Sequence, residues 1–305
     1  LGAVAYLEAY IDFVNPKLIL SRTDNNATLW QLKRRPNSTY KVALIQNGWR
    51  IADSPGGETH MIGAKGFENL DIYFSMGEAA RSSFSKNLNV KYVDVGSLSL
   101  NSYPKPTDQY LGAQVVSLVS IFRPSRSDEE QGCKDLGSFA RATRNRNLKI
   151  NIIGSQVSAE RAKLERSFYD KAFANQPFEL LVRSSTRSSY EKLSNSSIFI
   201  VDQSTLGYEA LSIGLRVGFV SFQPPFRLTD RFGLPLEFGE KGPFWTNDPS
   251  EEEIGRILDY LLTVSDEQWE RDSGWIRDQL MVHDYGNTKI RAYVEGVLTG
   301  SLKSN

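Results

Sequence analysis

Short apolar runs alternate with stretches of helical periodicity along the whole 305-residue chain. The runs predict strands over 17–21, 41–46, 69–74 and 90–94, and again over 114–122, 148–153, 178–182, 198–201 and 217–220. Helical spacing predicts helices over 2–14, 26–34 and 77–87, then over 128–144, 158–174, 188–195, 205–213, 250–264, 266–284 and 287–302. Strands and helices in alternation predict an α/β protein with a mostly parallel sheet. The stretch Asn101-Ser-Tyr-Pro-Lys-Pro-Thr107 reads as a linker, because two prolines among polar residues break both periodicities. Two domains are therefore expected, 1–105 and 106–305, with the active site in the cleft between them. The last helix is expected to pack back across the first domain. The first segment already reads as a helix, so a further strand is expected upstream of it.

Candidate chemistry gathers where predicted strands end. Ile198–Val201 is followed by Asp202-Gln-Ser-Thr205 and then by Gly207-Tyr-Glu209, a strand that exits into a hydroxyl-rich helix start. Helix N-termini attract anions, phosphate above all. Ser204 and Thr205 are thus candidates for phosphate, and Glu209, one turn in, for the hydroxyls of a ribose. A capped helix of purely structural purpose has the same pattern. Gly154-Ser155 ends another strand, where a glycine permits close backbone approach to a ligand. Arg123 and Arg126 follow the first strand of the second domain and could neutralise phosphate. In the first domain, Asp24-Asn25-Asn26 and Asn47-Gly-Trp-Arg50 stand at two strand exits. Asp24 is the candidate base or nucleophile, with Asn47 and Arg50 orienting an acceptor or leaving group. The bland alternatives are a helix cap and a turn. The loop 54–60 is suited to a lid, and its His60 is a weaker candidate base. Trp245 is expected to pack as structure, and Asp284 to cap the last helix.

Composition narrows the partners. Lys plus Arg and Asp plus Glu number 36 each, so no general basic field is available to hold nucleic acid. The single cysteine, Cys133, excludes an intrachain disulfide and suits a reducing compartment. Two histidines, His60 and His283, and one cysteine argue against a His/Cys metal site, and neither metal nor cofactor is expected. No apolar run has the length of a bilayer span. A cytoplasmic protein is expected. A peripheral seat at the inner membrane face would suit a lipid-linked acceptor, although no long basic amphipathic helix supports it.

The order Asp24-Asn-Asn, Gln46-Asn-Gly-Trp-Arg50, Val95-Gly-Ser97, Ser204-Thr-Leu-Gly-Tyr-Glu209, Phe244-Trp-Thr-Asn247 and Asp284-Tyr-Gly-Asn287 resembles bacterial surface-carbohydrate biosynthesis proteins. These are similar to glycosyltransferases of the GT-B fold and, more distantly, to capsule Kdo transferases and teichoic-acid polymerases. The resemblance implies two Rossmann-like domains with parallel sheets facing across a cleft. It also implies a nucleotide-sugar substrate held mainly by the second domain. The donor site would fall on Gly154, Ser155, Ser204, Thr205 and Glu209, helped by Arg123. The acceptor side, for a glycan or lipid-linked acceptor, would fall on Asp24, Asn25, Asn47 and Arg50. A glycosyltransferase is the leading expectation. A nucleotide-sugar epimerase of the same fold and a non-catalytic glycan- or nucleotide-binding module are the alternatives. Scarcity of histidine argues mildly against the epimerase.

Overall fold

The computed structural model describes residues 2–32, 38–50, 70–86, 88–105, 115–122, 129–174, 176–185, 188–195, 198–202, 204–222 and 238–301. The chain forms two compact units. The first holds 1–104 together with 278–305, and the second holds 105–277.

In the first unit, α1 (Ala3–Val14), β1 (Leu18–Ser21), α2 (Ala27–Trp30), β2 (Lys41–Ile45), β3 (Ile72–Ser75), α3 (Glu78–Ser85) and β4 (Lys91–Asp94) follow one another. Four strands make an all-parallel sheet in the order β1-β2-β3-β4. β2 and β3 read as unbroken apolar runs because a parallel sheet is covered on both faces. One cover is the final helix, α10 (Thr288–Thr299). Its Ile290, Tyr293 and Val294 pack on Ala43, Ile45, Ile72 and Phe74. Phe74 and Tyr293 meet edge-to-face with centroids 5.5 Å apart, a geometry aromatic quadrupoles favour. Asp284 accepts the amide of Lys289 at 3.0 Å and so caps α10.

The second unit runs through β5 (Val115–Val119), α4 (Glu129–Arg144), β6 (Lys149–Ile153), α5 (Ala159–Phe173), β7 (Phe178–Leu181) and α6 (Ser188–Glu191). It continues through β8 (Ile198–Val201), α7 (Thr205–Ser212), β9 (Arg216–Val220), β10 (Lys241–Gly242), β11 (Trp245–Thr246), α8 (Glu251–Thr263) and α9 (Asp266–Leu280). Seven strands lie in the order β10-β11-β9-β8-β5-β6-β7, antiparallel only at β10–β11. From β5 the chain builds β6 and β7 on one side, then crosses to build β8 and β9 on the other. That reversal is a topological switch point, and the crevice beyond the carboxyl ends of β5, β6 and β8 is where open α/β sheets bind ligands.

Three elements depart from the sequence reading. The small β10–β11 hairpin is absent from the hydrophobic pattern, because two-residue strands carry no periodicity and Trp245 is recruited by its pairing with Phe219. The helix expected over 266–284 ends at Leu280, since Val282 donates to Met76 O at 2.9 Å and His283 bridges Gly96. Asn101, at the head of the expected linker, is fully buried. Its amide donates to Val95 O at 2.7 Å and to Asn287 Oδ1 at 3.0 Å, while its Oδ1 accepts the amide of Asp284 at 3.1 Å. Among the described residues no helix is long and apolar enough to cross a membrane.

Candidate functional site

A pocket of about 170 Å³ opens at the switch point of the second unit. Val119 and Ser120 after β5, Ile153, Gly154 and Ser155 after β6, and Ser204, Leu206 and Glu209 of α7 line it. Arg183 beyond β7, with Ser189 and Tyr190 of α6, completes the wall. Of the predicted donor residues, Gly154, Ser155, Ser204 and Glu209 are brought together here. Thr205 begins α7 without lining the pocket, and Arg123, Arg126, His60 and the 54–60 loop lie outside the described residues.

Ser204 is the N-cap of α7, its hydroxyl accepting the Leu206 amide at 3.3 Å. The positive end of an eight-residue helix thus borders the pocket. Gly207 lets that helix lie against its own strand: a Cβ there would stand 2.5 Å from Val201 Cγ1. Glu209 is 5% exposed, and its Oε1 accepts the hydroxyl of Tyr190 at 2.8 Å.

Beneath the opposite wall lies Glu165 of α5, with 0% exposure. Its Oε1 accepts the hydroxyl of Ser120 at 2.5 Å, the amide of Ser155 at 2.8 Å and the hydroxyl of Ser155 at 2.9 Å. Its Oε2 faces the Gln156 amide at 3.4 Å. Ser155, expected in the donor site, lines the pocket, but its amide is turned inward to Glu165, and the helix that follows is capped by Ser158. Gly154 likewise serves packing, because a Cβ there would stand 3.1 Å from Glu165 Oε2 and 3.2 Å from Leu181 O. Tyr169 supports the network, donating to Ser120 Oγ at 3.0 Å and accepting the Ile121 amide at 2.9 Å. Burial pushes its hydroxyl above the ordinary tyrosine range.

Two cations stand at the β7 exit. Arg183 Nη1 points to Ser155 O at 3.5 Å. Lys192 donates to the carbonyls of Leu181 and Val182. Its ammonium is pushed below the ordinary lysine value by partial burial and then by Arg183.

At the strand exits of the first unit, Asp24 has 0% exposure. Its Oδ1 accepts the Asn47 amide at 3.2 Å, and its Oδ2 takes the Tyr73 hydroxyl and an ion pair with Arg50. Burial, then the Asp24 charge, hold Tyr73 well above its ordinary range, so it stays a donor. A carboxylate enclosed by three donors presents no base to a substrate in this geometry, which corrects the expectation for Asp24. What reaches the surface is its neighbours. Asn25 and Asn47 are exposed and linked at 3.3 Å, and Arg50 Nη1 donates to Asn47 Oδ1 at 3.2 Å. Buried Gln46 ties the turn together through the Gly48 and Arg50 carbonyls and the Met76 amide.

Sequence reasoning missed Ser120, Glu165, Arg183, Ser189 and Tyr190. A signal existed for two of them. Glu165 lies on the buried stripe of α5 with Ala162, Phe168, Tyr169 and Ala172, where a lone acid demands donors. Arg183 follows a strand directly, as Arg123 does. Among the described residues no group of three His, Cys, Asp or Glu side chains is placed to hold a metal ion.

Comparison with known proteins places this architecture. The UDP-GlcNAc 2-epimerase of Methanocaldococcus jannaschii, solved with UDP-GlcNAc and UDP, superposes with a TM-score of 0.61 at 13% identity, over 96% of this chain and 80% of that one. The Neisseria meningitidis UDP-GlcNAc 2-epimerase, bound to UDP-GlcNAc, gives 0.56 at 13% identity over 97% and 80%. TarM of S. aureus, solved with UDP and α-GlcNAc-glycerol among its ligands, gives 0.51 at 13% identity over 96% and 58%. At these identities the likeness establishes the fold, which is GT-B. No curated protein matches the chain in sequence. A family model described as "putative O-antigen biosynthesis protein" matches residues 43–297. With most of its length matched, and with two parallel α/β units of GT-B type, the chain belongs to this O-antigen biosynthesis family.

Proposed function

We propose that the chain is a nucleotide-sugar-dependent glycosyltransferase of surface-polysaccharide synthesis. The observation that carries this reading is the pocket at the switch point, where the N-terminus of α7, Arg183, Glu209 and Tyr190 converge. A nucleotide suits that set. The α7 dipole and Arg183 offer positive potential to phosphates. Glu209, whose Oε1 accepts from Tyr190, is the carboxylate assigned to the ribose hydroxyls. In transfer, the diphosphate leaves with growing negative charge, and preoriented dipoles that need no reorganisation lower that barrier most. The solved neighbours with UDP or UDP-GlcNAc bound support the ligand class. Asn25, Asn47 and Arg50 are assigned to the acceptor, with Asp24 as the buried residue that positions them. The acceptor is a glycan or lipid-linked glycan.

A second reading, a nucleotide-sugar epimerase, is favoured by the solved neighbours, which are mostly UDP-GlcNAc 2-epimerases. Against it stands the pocket itself. Among the described residues its lining carries no histidine, and Glu209 is hydrogen-bonded. His283, in the first unit, is engaged with Tyr103 O at 3.1 Å. Epimerisation needs acid and base groups placed on the sugar.

Two measurements test the proposal. Thermal stability is read against CMP, UDP, GDP, CDP and dTDP. A ligand at about a hundred times its dissociation constant adds about 2.7 kcal/mol, and Glu209→Ala is expected to weaken the binder by about 10-fold to 100-fold. A UDP-sugar is then incubated without acceptor. Conversion of the sugar would establish the epimerase and remove the transferase. Absence of any nucleotide binding would remove both.

A further inference from the structure

We infer that the exposed carboxamides of Asn25 and Asn47 form a site that reads adjacent hydroxyls of an uncharged sugar, and that Arg50 and Asp24 hold this site without touching its ligand. The inference rests on the acceptor assignment above and adds to it the chemical class of the acceptor's end.

Two of the four strand exits of the first unit are closed by the segment that returns after α9. Val282 donates to Met76 O at 2.9 Å beyond β3, and His283 bridges Gly96 beyond β4. A Cβ on Gly77 would stand 2.6 Å from Leu280 O, so no ligand fits between that segment and the turn. The exits of β1 and β2 are left, and there Asn25 and Asn47 are exposed.

Charge is settled beneath them. Asp24 is fully buried and paired with Arg50. Arg50 commits Nη1 to Asn47 Oδ1 and to Gly48 O, both at 3.2 Å, and its side chain is only 15% exposed. A guanidinium so engaged has no fork to offer a carboxylate or phosphate. The same bonds fix how the carboxamides face. Asn47 Oδ1 takes the guanidinium, so its Nδ2 is the end turned to Asn25 Oδ1, at 3.3 Å. The pair therefore presents amide donors on both residues beside the carbonyl acceptor of Asn25. An anion only accepts, and the Asn25 carbonyl would face it without a bond. A sugar hydroxyl both donates and accepts, and two adjacent hydroxyls meet donor and acceptor together. Arg22, three residues before Asn25, is exposed, and through it an acidic sugar would be drawn instead.

The experiment titrates the full chain, by ligand-observed NMR, with methyl glycosides of glucose, galactose and mannose and with those of the matching uronic acids. UDP is titrated alongside. At least one neutral glycoside is expected to bind, and its acidic counterpart no more tightly. Asn25→Ala and Asn47→Ala together should weaken that binding about tenfold. Both side chains are exposed, so the double variant keeps its fold, which its melting temperature checks. Affinity for the neutral glycoside should stay level as salt rises, because no charge meets the ligand. Tighter binding of the acidic counterpart overturns the inference, and its loss in Arg22→Ala would assign the site to anions. A loss under about threefold in the double variant overturns it as well. UDP binding without any glycoside binding overturns the inference and leaves the nucleotide reading standing. Glycoside binding that depends on Asn25 and Asn47, with no nucleotide bound, removes the transferase and leaves the hydroxyl site. Binding of neither removes both.

Discussion

Asp24 in the first unit and Glu165 in the second are both fully buried beside strand exits, and both gather backbone amides and hydroxyls, yet their electrostatics differ. Asp24 is neutralised by Arg50 and ties the exits of β1 and β2 to Tyr73 within β3. Among the described residues Glu165 takes its hydrogen bonds from neutral hydroxyls and amides, while Lys192 at the β7 exit acts on it through space. The lesson is that burial and hydrogen bonding alone do not give a carboxylate its role. What separates them is a countercharge in direct contact: Arg50 makes Asp24 half of an ion-pair clamp, whereas neutral donors hold Glu165 and its cation acts from farther off.

Substitutions can break this contrast. The largest effect is expected for Asp24→Asn, which leaves the mostly buried Arg50 guanidinium without its partner. Breaking a buried pair from one side costs about 3–5 kcal/mol. Denaturant unfolding of the first unit reads it, and a loss below about 1 kcal/mol would mean that the pair is no clamp. Next comes Gly207→Ala, where the new methyl would drive α7 off Val201. Overpacking costs about 1–3 kcal/mol, and nucleotide binding should fall with it, since the same helix carries Ser204 and Glu209. Glu165→Gln should cost less than Asp24→Asn, about 1–2 kcal/mol, because an amide still accepts from several of the neutral donors. A cost as large as that of Asp24→Asn would erase the distinction drawn above.

The smallest effect is acid lability. Arg256 holds Glu253, and Arg277 holds Glu270, below the ordinary glutamate value of 4.5. A carboxylate whose folded value is depressed stabilises the fold above its unfolded value and loses that contribution as pH falls through the folded one. Both pairs are solvent-accessible, so the contribution is small. The melting temperature of the second unit should hold from about pH 7 to 5 and decline below 4.5. A decline that starts nearer neutrality would point to other groups.

Much of the architecture was legible in the amino-acid order. Unbroken runs such as Ile198–Val201 became central parallel strands because such strands are buried on both faces. Ser158, Ser204 and Ser250 became helix caps because a serine hydroxyl satisfies amides no helix can. Ser204 and Glu209 lie five residues apart at the start of one helix, so the chain itself keeps them near each other. The remainder of the pocket was not legible. Tyr190 meets Glu209 across 19 residues, and Glu165 meets Ser120 across 45. No local period relates such positions.

The sequence by itself determined that this is an α/β chain of two units with polar turns at its strand exits, since periodicity and capping are properties of neighbouring residues. Only the tertiary structure decided that Asp24 is closed in by Arg50 and Tyr73, that Ser155 faces inward to Glu165, and that Arg183 and Tyr190 join the wall beside α7. Those outcomes depend on which strands the sheet places side by side, and strand order is set by packing of the whole unit rather than by any single stretch of chain.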